Sequence, residues 1–323
     1  MSKKKLVLII ALAIGVYIAM GIYADFSRLV QVIAEFEWIY LVALLGLTTA
    51  GYLLRYLKWD LFLKKAGVAL PAKQNLFVFF SGLAMIVTPG KIGEVWKGWL
   101  IRDISGDSLS RTVPVVILDR ITDILSLILL SAVGILSYRE GLPLLVVLLV
   151  LIGGFYVAIR SEPLSMRMLA VLERHAGKYA PDARAMHTTF EQVMEPATLL
   201  GLSALNALAW FCECLGLYIV VIGFHEQISV TLATFIFSFA SLAGGVSMIP
   251  GGIGLAEATI TGFLQVYGLG AASAIGIALV VRFGTLWYGV ILGSFVYLAF
   301  RRRMIPSCEQ HTTTPGIING GIL

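Results

Sequence analysis

The chain has 323 residues, of which 59% are hydrophobic and only 13% are charged, and its formal net charge is +5. This composition leaves too little polar surface to cover a soluble globule of that size, so it predicts an all-α, polytopic membrane helix bundle. The basic residues lie in short clusters at the ends of apolar runs rather than along a polar groove. That distribution indicates membrane topology and excludes nucleic acid as a partner.

The N-terminal half begins with two predicted spans. The first apolar run, residues 6–24, follows three lysines and ends without a small-residue cleavage site, so it is predicted to be an uncleaved span. Residues 25–37 are predicted to be an outside loop, and residues 38–54 a second span. The cations that follow span two are Arg55, Lys58, Lys64, Lys65 and Lys73. By the positive-inside rule, they and the N-terminal lysines lie on the cytoplasmic side.

Four further spans are predicted at residues 113–136, 142–159, 197–222 and 271–300. The cation-rich segment at about 160–196 is predicted to be a cytoplasmic loop, and span six ends at Arg301-Arg302-Arg303. Both termini are therefore expected in the cytoplasm of a cell-membrane protein. Residues 1–304 form the predicted membrane domain, and 305–323 a polar tail predicted to be disordered.

Two proline-glycine breaks interrupt the remaining apolar runs. Residues 74–88 would reach roughly 22 Å as a helix, short of the ~30 Å hydrocarbon core, and are followed by an amphipathic stretch at 91–103. A similar break separates 228–249 from 255–267. The aligned residues are Pro89, Gly90, Lys91, Ile92 and Gly93 in the first break and Pro250, Gly251, Gly252, Ile253 and Gly254 in the second, followed by Glu94 and Glu257 respectively. Paired breaks of this kind predict two re-entrant hairpins of opposite orientation, an inverted repeat around a transport site.

Helix starts inside a membrane suit an anion such as phosphate, because their N–H groups and positive dipole end face it. The alternative is that glycine and proline only permit close helix crossing. Each ionisable group within an apolar run costs about 2.5–3.5 kcal/mol and should face a partner or a wet cavity. The candidate substrate-binding residues are Lys91, Glu94, Lys97, Asp119, Arg120, Asp123, Glu257 and Arg282. Glu213 is either a proton carrier or a partner for Arg282.

Asp119 and Asp123 are four residues apart and share one helix face. They form either an acid–base or metal-binding pair, or ion pairs with Arg120, Arg111 or Lys97 that hold the helix. With no histidine nearby and no nucleotide-binding motif, we expect no metal, no cofactor and no ATP hydrolysis. Arg55 is interpreted as a topological anchor rather than a headgroup contact.

Three motifs carry a resemblance: TPGKIGEVWKGWLI at 88–101, VILDRITDIL at 116–125 and MIPGGIGLAEA at 248–258. In this order they resemble the membrane region of lysylphosphatidylglycerol synthases, the flippase-like family. The resemblance implies a membrane domain with paired re-entrant hairpins that moves a lipid headgroup between leaflets. The matching positions are Pro89, Gly90, Lys91, Gly93, Glu94, Lys97, Asp119, Arg120, Asp123, Pro250, Gly251, Gly252, Gly254 and Glu257. The sequence holds no soluble synthase domain, so synthase activity is not expected of it.

The sequence therefore predicts a non-enzymatic translocase for an anionic or zwitterionic lipid headgroup. The cations Lys91, Lys97, Arg120 and Arg282 would hold the phosphate, and the carboxylates would pair with them when the site is empty. Because Lys91 aligns with Gly252, capture is expected mainly from the cytoplasmic leaflet. The alternatives are an intramembrane enzyme acting on polyprenyl or phospholipid substrates, and an accessory subunit of a separate lipid synthase or glycosyltransferase. A homo-oligomer is compatible with any of them.

Overall fold

The computed structural model describes residues 3–88, 93–135, 183–193 and 195–305, together with isolated positions between 146 and 161. All regular secondary structure in these residues is helical. The helices are α1 (Lys3–Tyr23), α2 (Phe26–Glu35), α3 (Ile39–Lys65), α4 (Ala72–Leu83), α5 (Trp96–Ser105), α6 (Leu109–Ile135), α7 (Ala183–Val193), α8 (Pro196–Gly223), α9 (Val230–Val246), α10 (Leu255–Val266), α11 (Ala271–Arg282) and α12 (Tyr288–Met304). A π-helical turn, Phe283–Trp287, joins α11 to α12. The predicted all-helical class is confirmed.

Three described helices are long and apolar enough to cross a membrane: α3, α8 from Ala197, and the continuous helix Ala271–Met304. A fourth candidate is the pair Ala13–Tyr23 and Phe26–Glu35, which bends by 95°. These elements support a membrane helix bundle. The predicted span 142–159 lies largely outside the described residues, and the predicted tail lies outside them from residue 306 on. The number of crossings and the side of each terminus stay predictions.

One predicted loop is wrong, and one predicted span belongs to a longer helix. Residues 25–37 are not a loop, because α2 fills most of them and Asp25 caps it by accepting a hydrogen bond from the Ser27 N–H at 3.2 Å. The second apolar helix does not end at residue 54 but continues to Lys65. Residues 55–65 contain no proline or glycine that would end it. Arg55 and Lys58 have acidic partners inside the bundle, so both are buried residues of this helix.

Two helix–break–helix units stand at the predicted places. We call α4 with α5 the first broken unit and α9 with α10 the second. Arms of 12 residues, such as α4 and α10, rise roughly 18 Å. In each unit the two arms pack against each other. The re-entrant disposition and the inverted orientation of the units stay predictions, and Pro89, Gly90, Lys91 and Ile92 lie outside the described residues.

Glycine conformation explains the second break. Gly251, Gly252 and Gly254 have φ of 61°, 66° and 92°. These left-handed values cost other residues roughly 1–2 kcal/mol each. Gly252 also packs onto α9, where an added Cβ would lie 2.9 Å from the Gly244 Cα. The glycines therefore serve both the turn and the close crossing.

The two broken units meet inside the molecule. Val87, which precedes the first break, packs in one buried cluster with Ile253 of the second break, Leu286 of the π turn and Ala13 of α1. Beside this cluster, α8 packs against α3, α6 and α9 and forms the centre of the bundle. The fold thus brings both broken units to one place, covered by α1.

Candidate functional site

A cluster of six charged side chains lies where the first broken unit meets α3 and α6. Three are cations and three are carboxylates, so its formal charge sums to zero. Its members are Lys58, Glu94, Lys97, Asp119, Arg120 and Asp123. Five of the side chains are buried, and that of Arg120 is 27% exposed. We call this set the first charge cluster.

Asp119 lies at the middle of the first charge cluster. Its Oδ1 is 2.9 Å from Lys58 Nζ. Its Oδ2 is 3.3 Å from Lys97 Nζ and 3.3 Å from Arg120 Nη2. Three cations thus converge on one buried carboxylate, which offsets the cost of removing all of these charges from water.

Arg120 joins the other two carboxylates. Its Nη2 is 2.7 Å from Glu94 Oε2, and its Nη1 is 2.8 Å from Asp123 Oδ2. Asp123 Oδ1 also accepts a hydrogen bond from Asn206 Nδ2 at 3.0 Å, which links α6 to α8. The ion-pair interpretation of Asp119 and Asp123 is therefore the one the geometry supports, with Lys97 and Arg120 as partners. Arg111, the third expected partner, is exposed.

Lys97 is positioned by a glycine and an aromatic ring. Its aliphatic chain crosses α4 at Gly82, where an added Cβ would lie 2.7 Å from Lys97 Cδ. Its ammonium lies 4.1 Å from the ring centroid of Trp59, a cation–π distance. Lys97 also lies 3.3 Å from Glu94 Oε2. At the end of the break, the Gly93 N–H donates to Thr88 Oγ1 at 2.9 Å.

A second charge cluster, Glu257 with Arg282, lies at the second break. Arg282 Nε is 2.8 Å from Glu257 Oε1, and Arg282 Nη2 donates to the Gly251 carbonyl. Glu257 Oε2 accepts from the Gly254 N–H at 2.7 Å, and its side chain is fully buried. The Gly254 N–H at the start of α10 is thus bound by the chain's own carboxylate in this conformation.

Arg55 and Glu213 form a third pair, between α3 and α8, at 2.6 Å. The Arg55 guanidinium also stacks 4.0 Å from the Trp210 ring centroid. Arg55 is therefore not an exposed anchor, because its guanidinium is buried against Glu213 and Trp210. Of the two alternatives for Glu213, pairing with Arg282 is wrong, and the role of proton carrier stays a prediction. The Arg55 Nε has no hydrogen-bond partner among the described residues, although it is buried.

Sequence reasoning missed Arg55 and Lys58 as members of the site. Both were assigned to the positive exit of a shorter span. The available signal was the uninterrupted helical pattern to Lys65, together with their spacing of three residues, which places both on one helix face. That spacing puts Arg55 toward Glu213 while Lys58 reaches Asp119 and Asp123.

Two small cavities run between these charges. The larger, of about 70 Å³, is walled by Ile86 of the first broken unit, by Gly251 and Gly252 of the second, and by Arg282. The smaller, of about 30 Å³, is walled by part of the first charge cluster, namely Glu94, Lys97, Asp119, Arg120 and Asp123. Arg55, Ile86 and Trp210 wall both. The volumes suit a few ordered waters. Arg55 therefore separates two polar spaces that adjoin.

Within the described part of the chain, no group of three or more His, Cys, Asp or Glu side chains is arranged to hold a metal ion. The carboxylates of the first charge cluster face ammonium and guanidinium groups instead. Each of these carboxylates is therefore already paired with a cation.

Comparison with known proteins identifies the family to which this chain is similar. Residues 8–293 match the family described as the lysylphosphatidylglycerol synthase TM region. A UPF0104 membrane protein of Methanothermobacter thermautotrophicus is 26% identical over 304 residues, covering 88% of this chain and 90% of that protein. A UPF0104 membrane protein of Pyrococcus horikoshii is 21% identical over 337 residues, covering 94% of this chain and 99% of that protein. Another, of Methanocaldococcus jannaschii, is 21% identical over 243 residues, covering 70% of this chain and 98% of that protein.

Proposed function

The chain is a membrane protein that belongs to the family of the lysylphosphatidylglycerol synthase TM region, and from that premise we propose that it is a lipid translocase. Its substrate is an anionic or zwitterionic phospholipid, or a lipid-linked headgroup, which it moves between leaflets. The hydrocarbon chains stay in the bilayer while the headgroup passes through the protein.

One observation carries the proposal: buried, paired charges wall two adjoining cavities at the place where the breaks meet. The first charge cluster walls one cavity, and the Arg55–Glu213 pair and Arg282 wall the other. Buried ion pairs are weak stabilisers, since removal of two charges from water costs as much as their attraction returns. Charged residues inside a membrane bundle mark substrate or ion pathways.

The pairing suggests how a phosphate would be bound. A phosphate that enters an empty cation site adds its own cost of dehydration. Here it would instead displace a carboxylate from Lys97 or Arg120, so that one anion replaces another beside the same cation. A headgroup amine would then pair with the carboxylate that the phosphate has displaced. The site thus suits headgroups that carry a phosphate, with or without an amine.

The order of the cations suggests a route. The headgroup would pass from Lys97 and Arg120 to Arg55, which walls both cavities, and then to Arg282 at the second break. Lys91, outside the described residues, would assist capture from the cytoplasmic leaflet. Since the sequence holds no nucleotide-binding motif, movement would be downhill or coupled to an ion.

The experiment is translocation in vesicles that contain the purified chain. Phosphatidylglycerol, phosphatidylethanolamine or phosphatidylcholine with a fluorescent headgroup-proximal label is incorporated in both leaflets, and a membrane-impermeant reductant quenches the outer label. We expect the protected fraction to fall with time only in vesicles that contain the protein. If none of these lipids, nor a labelled polyprenyl phosphate, becomes accessible, the proposal is wrong.

Two variants sharpen this test. Arg282→Gln combined with Glu257→Gln keeps the formal charge of the site unchanged but removes its cation, and we expect it to slow translocation. Arg102→Gln removes a cation that is 40% exposed on α5 and serves as the control. Chemical conversion of the lipid that requires Asp119 would instead assign an intramembrane enzyme, and activity that appears only with a co-purifying synthase or glycosyltransferase would assign an accessory subunit.

A further inference from the structure

An apolar groove lies on the outside of the bundle, between α1, α3 and the long helix Ala271–Met304. Its volume is about 550 Å³, within the usual range of ligand pockets. Its walls are Tyr17, Trp38, Leu41, Leu279, Val280, Phe283, Trp287 and Ile291. None of these residues belongs to the charge clusters described above.

The groove follows the membrane-spanning direction. Leu279, Phe283, Trp287 and Ile291 recur every four residues on one side of the long helix, a rise of roughly 18 Å. They lie about the middle of Ala271–Met304, which is long and apolar enough to cross a bilayer. Phe283 and Ile291 are 48% and 58% exposed. At that depth the groove faces hydrocarbon chains and not water.

The groove and the polar cavity adjoin the same π turn. Leu286 walls the cavity that holds Arg282, and the next residue, Trp287, walls the groove. Two consecutive residues of the π turn therefore separate a polar space from an apolar one. Turns of this kind interrupt α-helices frequently at functional sites.

One contact joins two walls of the groove beside the π turn. Trp287 Nε1 donates a hydrogen bond to Tyr17 Oη at 2.7 Å, which joins the π turn to α1. Tyr17 also lies near enough to Glu257 and Arg282 to interact electrostatically with both. The same helix packs Ala13 onto the cluster where the breaks meet. Hence α1 packs beside the π turn and the second break, next to the polar cavity.

We propose that this groove binds one hydrocarbon chain of the lipid whose headgroup occupies the cavity at Arg282, and that the Tyr17–Trp287 contact is the lateral opening between them. The inference rests on the proposed translocase function, since the headgroup must leave the bilayer sideways while its chain stays in hydrocarbon. The occupant is a lipid chain and not a protein helix, because the π turn that walls the groove also walls a cavity with a cation for the phosphate.

The first test locates the chain. Phosphatidylglycerol with a photoactivatable diazirine in its acyl chain is incorporated with the purified protein in vesicles, and the cross-linked peptides are identified by mass spectrometry. We expect labelling to concentrate on Tyr17 and on Phe283–Ile291, and to fall several-fold with excess unlabelled lipid. Labelling spread evenly over lipid-facing positions such as Leu298 would overturn the inference, and a cross-link to a second copy would assign the groove to a protein interface.

The second test fills the groove. Ile291→Trp adds bulk at a position that is 58% exposed, and Leu298→Trp adds the same bulk at a 65% exposed position of the same helix outside the groove. We expect only Ile291→Trp to reduce acyl-chain labelling and translocation several-fold. Tyr17→Phe removes the contact at the opening with little change of volume, and Tyr23→Phe on the same helix is its control. Only Tyr17→Phe should change the translocation rate, raising it several-fold.

The two proposals fail in different ways. If no lipid is translocated but the groove is labelled and Ile291→Trp abolishes that labelling, the translocase is wrong and the chain-binding site stands. If translocation proceeds, and neither Ile291→Trp nor Tyr17→Phe differs from its control, the groove inference is wrong and the translocase stands.

Discussion

Lys58 Nζ lies 2.9 Å from Asp119 Oδ1, and neither side chain is more than 4% exposed. Lys58 does not wall either cavity, so its role is to orient Asp119. With one oxygen of Asp119 held by Lys58, the other faces Lys97 and Arg120, the cations that do wall the smaller cavity. Lys58, which walls neither cavity, thus holds the carboxylate that faces Lys97 and Arg120.

Lys58→Met should destabilise the fold strongly. Removal of one member of a buried ion pair leaves the partner charge uncompensated and costs about 3–5 kcal/mol. Lys64→Met is the matched control on the same helix, because its side chain is 68% exposed and exposed pairs contribute about 0–1 kcal/mol. The measurement is the free energy of unfolding in detergent. Adding Asp119→Asn to Lys58→Met should recover part of the loss, and equal losses for both lysines would contradict this assignment.

Arg55 should matter for transport more than for folding when its partner is neutralised with it. The double variant Arg55→Gln, Glu213→Gln leaves neither partner of this pair charged, but it removes the cation between the cavities. We expect translocation to slow about tenfold, which corresponds to about 1.4 kcal/mol in the barrier. Arg102→Gln, on the exposed side of α5, should leave the rate unchanged. A double variant that stays folded and transports at the normal rate would exclude Arg55 from the route.

Gly252→Ala tests the second break. The left-handed φ of 66° and the approach to Gly244 should together cost at least about 2 kcal/mol of unfolding free energy. Gly245→Ala is the control, since an added Cβ there meets nothing within 4 Å, and it should be neutral or stabilise by up to about 1 kcal/mol. Thermal unfolding in detergent measures both. Similar melting temperatures for the two variants would show that the close crossing at Gly252 is not required.

Gly82→Ala tests how Lys97 is positioned. The added methyl group would occupy the place of the Lys97 side chain and push its ammonium away from Glu94 and Asp119. We expect slower translocation, measured in the vesicle assay, in a protein that still folds. Gly201→Ala on α8, where an added Cβ meets nothing within 4 Å, should behave as the unchanged chain. If the two variants transport equally well, the position of Lys97 over α4 does not limit the rate.

Local properties of the chain made part of this site predictable. Helical class and the placement of both breaks follow from apolar run length and from proline and glycine, which act on the backbone where they stand. The sequence predicted that the carboxylates pair with the nearby cations without saying which pairs form, and the structure holds ion pairs of Glu94 with Lys97 and of Glu257 with Arg282. Charged residues are rare inside apolar segments because each needs a partner there, so the sequence offered few candidate site residues.

Helix packing alone decided the remaining partners. Glu213 pairs with Arg55 and not with Arg282 because α8 packs against α3. The two paired residues are 158 positions apart in the chain. Lys58 and Arg55 resembled topological anchors in the sequence. The sequence pattern around a cation does not show whether its side chain reaches lipid headgroups or a buried carboxylate. The sequence by itself thus determined the helices, the breaks and the unusual charges. Only the tertiary structure decided which charges meet and which faces enclose a cavity, because those depend on distances between helices that no local pattern encodes.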